Sequence, residues 1–104
     1  MSEEKLPRNY QLMQEQHPEF IQAVSGLGKA VRSEGPLEAK TIELIQMAAA
    51  AALRLEGAVH SHARRAMKAG ASPEEVRHAL ISITSTAGFP AVASAMSWVR
   101  DVTG

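Results

Sequence analysis

The chain contains no cysteine. Thiolate nucleophiles, redox-active disulfides and cysteine-ligated metal are thereby excluded. Aromatic residues are nearly as scarce: Tyr10, Phe20, Phe89 and Trp98 are the only ones in 104 residues, so Leu, Ile, Val, Met and many alanines must supply the core volume. A core built on alanine brings helix axes close together. Net charge is absent as well, with eleven Lys and Arg against eleven Asp and Glu, which removes the basic footprint that nucleic acid or an anionic membrane surface requires. No apolar run approaches the roughly 18 residues of a membrane span. The opening MSEEKLPRNY is polar and acidic, unlike the basic and then apolar start of a secretory signal. The expectation is a cytoplasmic protein with neither a nucleic-acid nor a membrane partner.

No stretch alternates apolar and polar residues for long enough to read as a strand, whereas segments between Pro and Gly carry three- and four-residue apolar spacing. An all-α fold is expected. The length suits one domain over 1–104, with residues 1–16 forming an N-terminal arm or a short helix, and a domain of this size buries roughly two-thirds of its unfolded surface. Pro18 opens a helix through Phe20, Ile21, Val24, Leu27 and Val31 that ends at SEGP, a proline in the first turn being favourable there. Pro36 is expected to open the longest helix, which from Met47 to Leu53 is apolar on every face and so calls for burial on all sides. A partner subunit is the natural source of that cover. Gly57 reads as its interruption, Gly70 as the left-handed cap of a following helix, and Ser72, Pro73 and Glu75 as the cap, first-turn proline and return glutamate of another. That helix is expected to reach Gly88, and Pro90 to start the last one.

Four histidines and a few carboxylates are left to carry chemistry. His60 and His62 are two apart, about 200° around a helix, so they do not converge on one metal ion. His62 lies in the row Ala58, His62, Ala66, which suits a neighbouring helix at close range and leaves the imidazole partly buried, where it can carry protons near neutral pH. Glu43 sits where its helix becomes apolar, and a carboxylate buried there needs a partner, either His62 or an arginine. Arg54, Arg64 and Arg65 lie in the same region and are suited to a bidentate grip on a carboxylate ligand. The same residues also fit a blander account, in which the histidine is a hydrogen-bonded structural residue and the glutamate compensates a helix dipole. His17, His60 and His78 read as structural or solvent-facing, with His78 paired to Glu74 one turn earlier.

In their order and spacing, the glutamate of the alanine-rich helix, the run EGAVHSHARRAMKAG, the ASPEEV helix start and the GFPA turn from Gly88 to Ala91 form a recognisable set. The stretch from Glu43 to Pro90 resembles the carboxymuconolactone decarboxylase and alkylhydroperoxidase-D-like superfamily. That resemblance implies a helical bundle of the alkylhydroperoxidase-D-like type, assembled as a homo-oligomer, a trimer or a hexamer. In the peroxidase branch a Cys-x-x-Cys pair precedes the histidine; the matching positions here are Leu55 and Ala58, so a peroxiredoxin label applies by family only. In the decarboxylase branch the cysteines are absent and the histidine is kept. The resemblance then implies a lyase-type, cofactor-free reaction on a small organic acid or lactone, with His62 and Glu43 as the catalytic pair and Arg64 or Arg65 holding the substrate. The alternative is a non-catalytic helical module that keeps the fold and binds a small molecule or a partner protein.

Overall fold

The computed structural model describes residues 7–104, all of whose regular structure is helical. They fall into two compact units that divide after Pro36. The first unit holds α1 (Arg8–Gln16) and α2 (Pro18–Ser33). The part of the expected N-terminal arm that covers 1–6 lies outside the described residues, and 8–16 form the short helix. His17 breaks the backbone between the two, with φ −137° and ψ 62°, and Pro18 then opens α2 with the fixed φ that suits a first turn. The two helices meet along the Ile21 side of α2, where Tyr10 and Gln14 from α1 line a small hollow with Ile21 and Ser25. Phe20, Val24, Leu27 and Val31 lie on a different stripe of α2 and stay 45% to 64% exposed.

The second unit holds α3 (Ala39–Ala52), α4 (Glu56–Lys68), α5 (Pro73–Ser82), α6 (Thr84–Ala87), α7 (Phe89–Trp98) and α8 (Arg100–Thr103). Its centre is the α3–α4 hairpin. Met47, Ala50 and Ala51 from α3 meet Val59, Ala63 and Ala66 from α4, all of them buried, and the alanines let the two backbones approach until the few larger side chains interdigitate. Val76 and Leu80 from α5, Ala95 from α7 and Val99 just after it close the cluster. Five large side chains, Met47, Val59, Val76, Leu80 and Val99, are completely covered, each contributing about 1.5–3 kcal/mol of burial.

The structure differs from the sequence expectation in several places. Pro36 does not open α3: residues 34–36 form a bend, Glu38 is extended, and the first helical hydrogen bond runs from Ile42 N–H to the Glu38 carbonyl. With its start moved to Ala39, α3 has 14 residues against 16 in α2 and is not the longest helix. The break after α3 falls at Arg54 rather than Gly57. Arg54 takes a left-handed φ of 61°, so that its own N–H reaches the Ala51 carbonyl while Leu55 N–H reaches that of Ala50, a pair of bonds that closes a helix end. Gly57 is thus inside the first turn of α4. Burial of α3 is also one-sided: Ala52, Leu53 and Ile45 remain exposed although the segment is apolar all round.

Other signals hold. Gly70 has φ 108° and the same two closing bonds, from Ala71 N–H to Ala66 and from Gly70 N–H to Met67. Gly88, at φ 96°, separates α6 from α7. Ile83 splits the helix expected to run unbroken to Gly88 into α5 and α6. At the start of α5 the capping box is complete: Glu75 N–H donates to Ser72 Oγ at 3.0 Å and Ser72 N–H donates to Glu75 Oε1 at 2.9 Å. Lys40 Nζ reaches Glu75 Oε2 at 3.2 Å, so one carboxylate ties the first turn of α3 to the first turn of α5.

The Ser72 amide, and after it Lys40, hold the Glu75 carboxyl below its ordinary value of 4.5. A carboxyl lowered in this way adds stability above its unfolded value and loses it as the pH falls through its folded value. Ser72→Ala is expected to cost about 1 kcal/mol in urea denaturation at neutral pH. Glu75→Gln should lower the melting temperature at neutral pH, with the gap to the unsubstituted chain narrowing once the pH drops below 4.5; a gap independent of pH would refute this role for the carboxylate.

Candidate functional site

Glu43 belongs to the second turn of α3 and faces the hairpin interior with Met47, Ala50 and Ala51, one and two turns on. It is the single buried charged residue among those described, at 6% exposure. Nothing in an alanine lining can solvate a carboxylate, and a charge left so would be untenable. One partner is His62, whose Nδ1 lies 2.8 Å from Glu43 Oε1. Val59, Ala63 and Ala66, buried on either side of it along α4, set the axial position of the ring, and the small side chains allow an imidazole and a carboxylate to share the space between two close helices.

An ionised carboxylate only accepts hydrogen bonds, so opposite a charged Glu43 the hydrogen sits on Nδ1, which donates it to Oε1. That fixes both the tautomer and the ring plane, and leaves Nε2 as the atom that takes up or gives a proton. The two members differ in their access to water. Glu43 keeps 7% of its side-chain surface and His62 16%, so the carboxylate is the sealed end of the pair and the imidazole its outer end. Leu55, Ala58, His62 and Arg65 follow one another at spacings of three, four and three, along one helical face at and beyond the start of α4. Leu55 and Arg65 are exposed and Ala58 is half-buried. The imidazole is therefore flanked by an apolar end towards the start of α4 and by a cation towards its end.

Arg64 and Arg65 look equivalent in the sequence, and the helix separates them. Arg64, one position back, lies on another side of α4 and its guanidinium meets His60 Nδ1. His60 in turn has its Nε2 2.6 Å from Asp101 Oδ2, a carboxylate 41 residues away that no local spacing could have paired with it. His60 thus joins α4 to the start of α8. Glu74, expected to pair with His78, accepts instead from Arg77 at 3.1 Å. Arg54 is exposed at the turn before α4. Among the described residues, no three His, Cys, Asp or Glu side chains come together in a way that could hold a metal ion, and no helix is long and apolar enough to cross a membrane.

A concave feature separate from the pair lies on the outer face of α3. There Thr41, Leu44, Ala48 and Ala52 form a cleft of about 420 Å³ with Ala79 and Ile83 opposite. Neither Glu43 nor His62 lines it, because they occupy the inner face of the hairpin. The recurrence of Thr41, Leu44, Ala48 and Ala52 at three- and four-residue spacing is the signal that the sequence offers for it, and in a helix apolar all round that signal does not stand out from general core.

Comparison with known proteins agrees with this architecture. A family model described as the carboxymuconolactone decarboxylase family matches residues 18–101. An uncharacterised protein of Methanocaldococcus jannaschii, MJ1511, is 33% identical over 87 residues, a match covering 84% of this chain and 81% of the relative. An uncharacterised protein of Haemophilus influenzae is 41% identical over 51 residues, covering 49% of this chain and 45% of its own length. Among solved structures, apo-lpg0406 of Legionella pneumophila, described as a carboxymuconolactone decarboxylase family protein, superposes with a TM-score of 0.81 at 28% identity, covering 89% of this chain and 83% of that one.

Cutting the pair from one side should cost more than replacing it whole. His62→Ala is expected to lower the unfolding free energy by about 1–3 kcal/mol, the penalty for removing a hydrogen-bond partner from a buried acceptor. His62→Leu combined with Glu43→Leu should restore a large part of that loss, because two apolar side chains then fill the volume. Chemical denaturation of the single and double variants checks this, and strictly additive losses would show that the two side chains are not coupled.

Proposed function

The chain belongs to the carboxymuconolactone decarboxylase family, and from that premise we propose that it performs cofactor-free acid–base chemistry on a small organic acid or lactone, with His62 carrying the proton. The observation that carries this reading is the 2.8 Å contact between His62 Nδ1 and the buried Glu43 carboxylate. A histidine that only filled space between alanines would not need a sealed carboxylate behind it, whereas one that cycles between neutral and charged forms does. Glu43 stabilises the charged imidazole and, by engaging Nδ1, leaves Nε2 to exchange the proton. Arg65, on the same face, offers a guanidinium to a substrate carboxylate.

For a lactone acid the step balances as follows. The bond between the carboxylate carbon and the ring breaks, carbon dioxide leaves, and the electron pair that remains on the ring carbon takes the proton from His62 Nε2. The imidazole, now neutral, recovers its proton from water, and the hydroxide left behind is taken up by the released carbon dioxide as bicarbonate. No electron is transferred in or out, so the reaction asks for none of the thiol chemistry that Leu55 and Ala58 cannot perform.

A second reading is favoured by the apolar cleft on the outer face of α3, which is separate from the pair. On that reading the chain is a non-catalytic helical module and the pair serves to hold the hairpin together.

The two readings part in one experiment. Lactone acids and dicarboxylates are screened by thermal shift, and carbon dioxide release is followed for any that bind. The enzyme reading expects a ligand whose shift is weakened at least tenfold in concentration by Arg65→Ala, and whose turnover falls by about 10²–10⁴-fold in His62→Gln. A ligand shift indifferent to both substitutions, with no turnover in the unsubstituted chain, would reject it in favour of the module.

A further inference from the structure

His60 is engaged at both ring nitrogens, and its two partners make opposite demands on it. Nε2 lies 2.6 Å from the Asp101 carboxylate of α8, and Nδ1 meets Nη1 of Arg64, one turn further along α4. A guanidinium has donors only and does not give up its charge in a protein. Nδ1 must therefore be the acceptor, with no hydrogen of its own. The single hydrogen of the neutral ring then sits on Nε2 and is donated to Asp101 Oδ2. This arrangement exists only for the uncharged imidazole. We propose that His60 is a pH-operated switch on Arg64: neutral, the ring holds the guanidinium, and protonated, it lets the guanidinium go while keeping Asp101.

The release follows from the geometry of the ring. A second proton can go only to Nδ1, where it faces an N–H donor that already carries positive charge. Donor then opposes donor and cation opposes cation, so that contact is lost. On the other side of the ring the same proton makes the bond from Nε2 to Asp101 charge-assisted. The imidazole thus passes from a partner on its own helix to a firmer hold on α8. Water reaches the ring without any opening of the core, since His60 keeps 28% of its side-chain surface and Asp101 68%. His62, two positions on, bonds a carboxylate through Nδ1, so it has no cation set against that nitrogen. The other charges on the elements packed against α4 are accounted for. Glu43 of α3 bonds His62, Lys40 of α3 pairs with Glu75 of α5, and Glu74 pairs with Arg77 within α5. His78 of α5 is exposed, and α7 carries no charged side chain. Glu56, one turn before His60, and Arg100, beside Asp101, are exposed as well, where water and salt screen their pull on the ring.

The switch does not depend on any reaction at His62, and its test reads the motion of one guanidinium in the whole chain. Arginine side-chain ¹⁵N spectra report how fast each guanidinium rotates, and Arg64 is identified by the signal missing from Arg64→Gln. Between about pH 8 and about pH 5, the range in which histidine changes charge, rotation of Arg64 is expected to quicken about tenfold, the factor carried by one hydrogen bond to a charged group. The midpoint should coincide with that of the His60 ring, followed on its carbon-bound protons. Arg65, exposed on another side of α4, is the internal control and should not change. In His60→Asn a side-chain carbonyl stands where Nδ1 stood and does not titrate, so Arg64 should rotate slowly at both ends of the range, with helicity checked by circular dichroism. Rotation of Arg64 that is unchanged across the titration of His60, or that changes with a different midpoint, would overturn the proposal. So would the same quickening at acid pH in helical His60→Asn.

Discussion

A carboxylate buried in a wall of alanine is the constraint on which the second unit depends. Glu43 can stay charged inside the α3–α4 hairpin only if something there donates to it, and His62 is that donor at 2.8 Å. The requirement sets the register of the hairpin, because a shift of either helix by one residue rotates one partner away by about 100°. It also sets the tautomer of the histidine. Much else in the hairpin follows from making room for this pair: alanine at positions 50, 51, 63 and 66 keeps the helices near enough for two polar side chains to meet, and Met47 and Val59 fill what the alanines leave.

Filling the interior with alanine has a consequence outside. With the inner faces occupied by small residues, much of the chain's large apolar surface lies elsewhere: on the outer stripe of α2, around the α3 groove, and at Leu53, Leu55, Ile81 and Phe89. Soluble monomers seldom carry contiguous apolar patches without a use for them. The same choice of small over large that lets Glu43 and His62 meet therefore leaves large apolar side chains outside, and the buried pair and the apolar groove occupy opposite faces of one helix. α3 joins them physically, its inner face carrying the charge and its outer face the groove.

Much of this is legible in the amino-acid sequence. Pro18, the Ser72 to Glu75 capping box, Gly70 and Gly88 mark helix ends through chemistry that acts within a few residues, and they mark them at the right places. The cost of burying Glu43 points to His62 as one of two kinds of partner. What the sequence leaves hidden is either conformationally unmarked or distant. Arg54 adopts a left-handed backbone that glycine usually fills, so Gly57, three residues later, is the more visible but mistaken marker of the break. Asp101 reaches His60 across 41 residues, and only the folded hairpin and α7 bring them together. Arg64 and Arg65 are adjacent in sequence and differ by about 100° around the helix, which is enough to send one to His60 and leave the other on the face of His62.

If the Glu43 carboxylate orients His62, the neutral imidazole must carry its hydrogen on Nδ1, the reverse of the tautomer that free histidine prefers. Long-range proton–nitrogen correlation spectra of the protein with ¹⁵N-labelled histidine, recorded at a pH where the ring is neutral, report this directly. The account predicts a protonated Nδ1 and a bare Nε2 for His62, with the pattern reverting to that of free histidine in Glu43→Gln. A hydrogen on Nε2 of His62 in the unsubstituted chain, or a tautomer unchanged by the loss of the carboxylate, would contradict it.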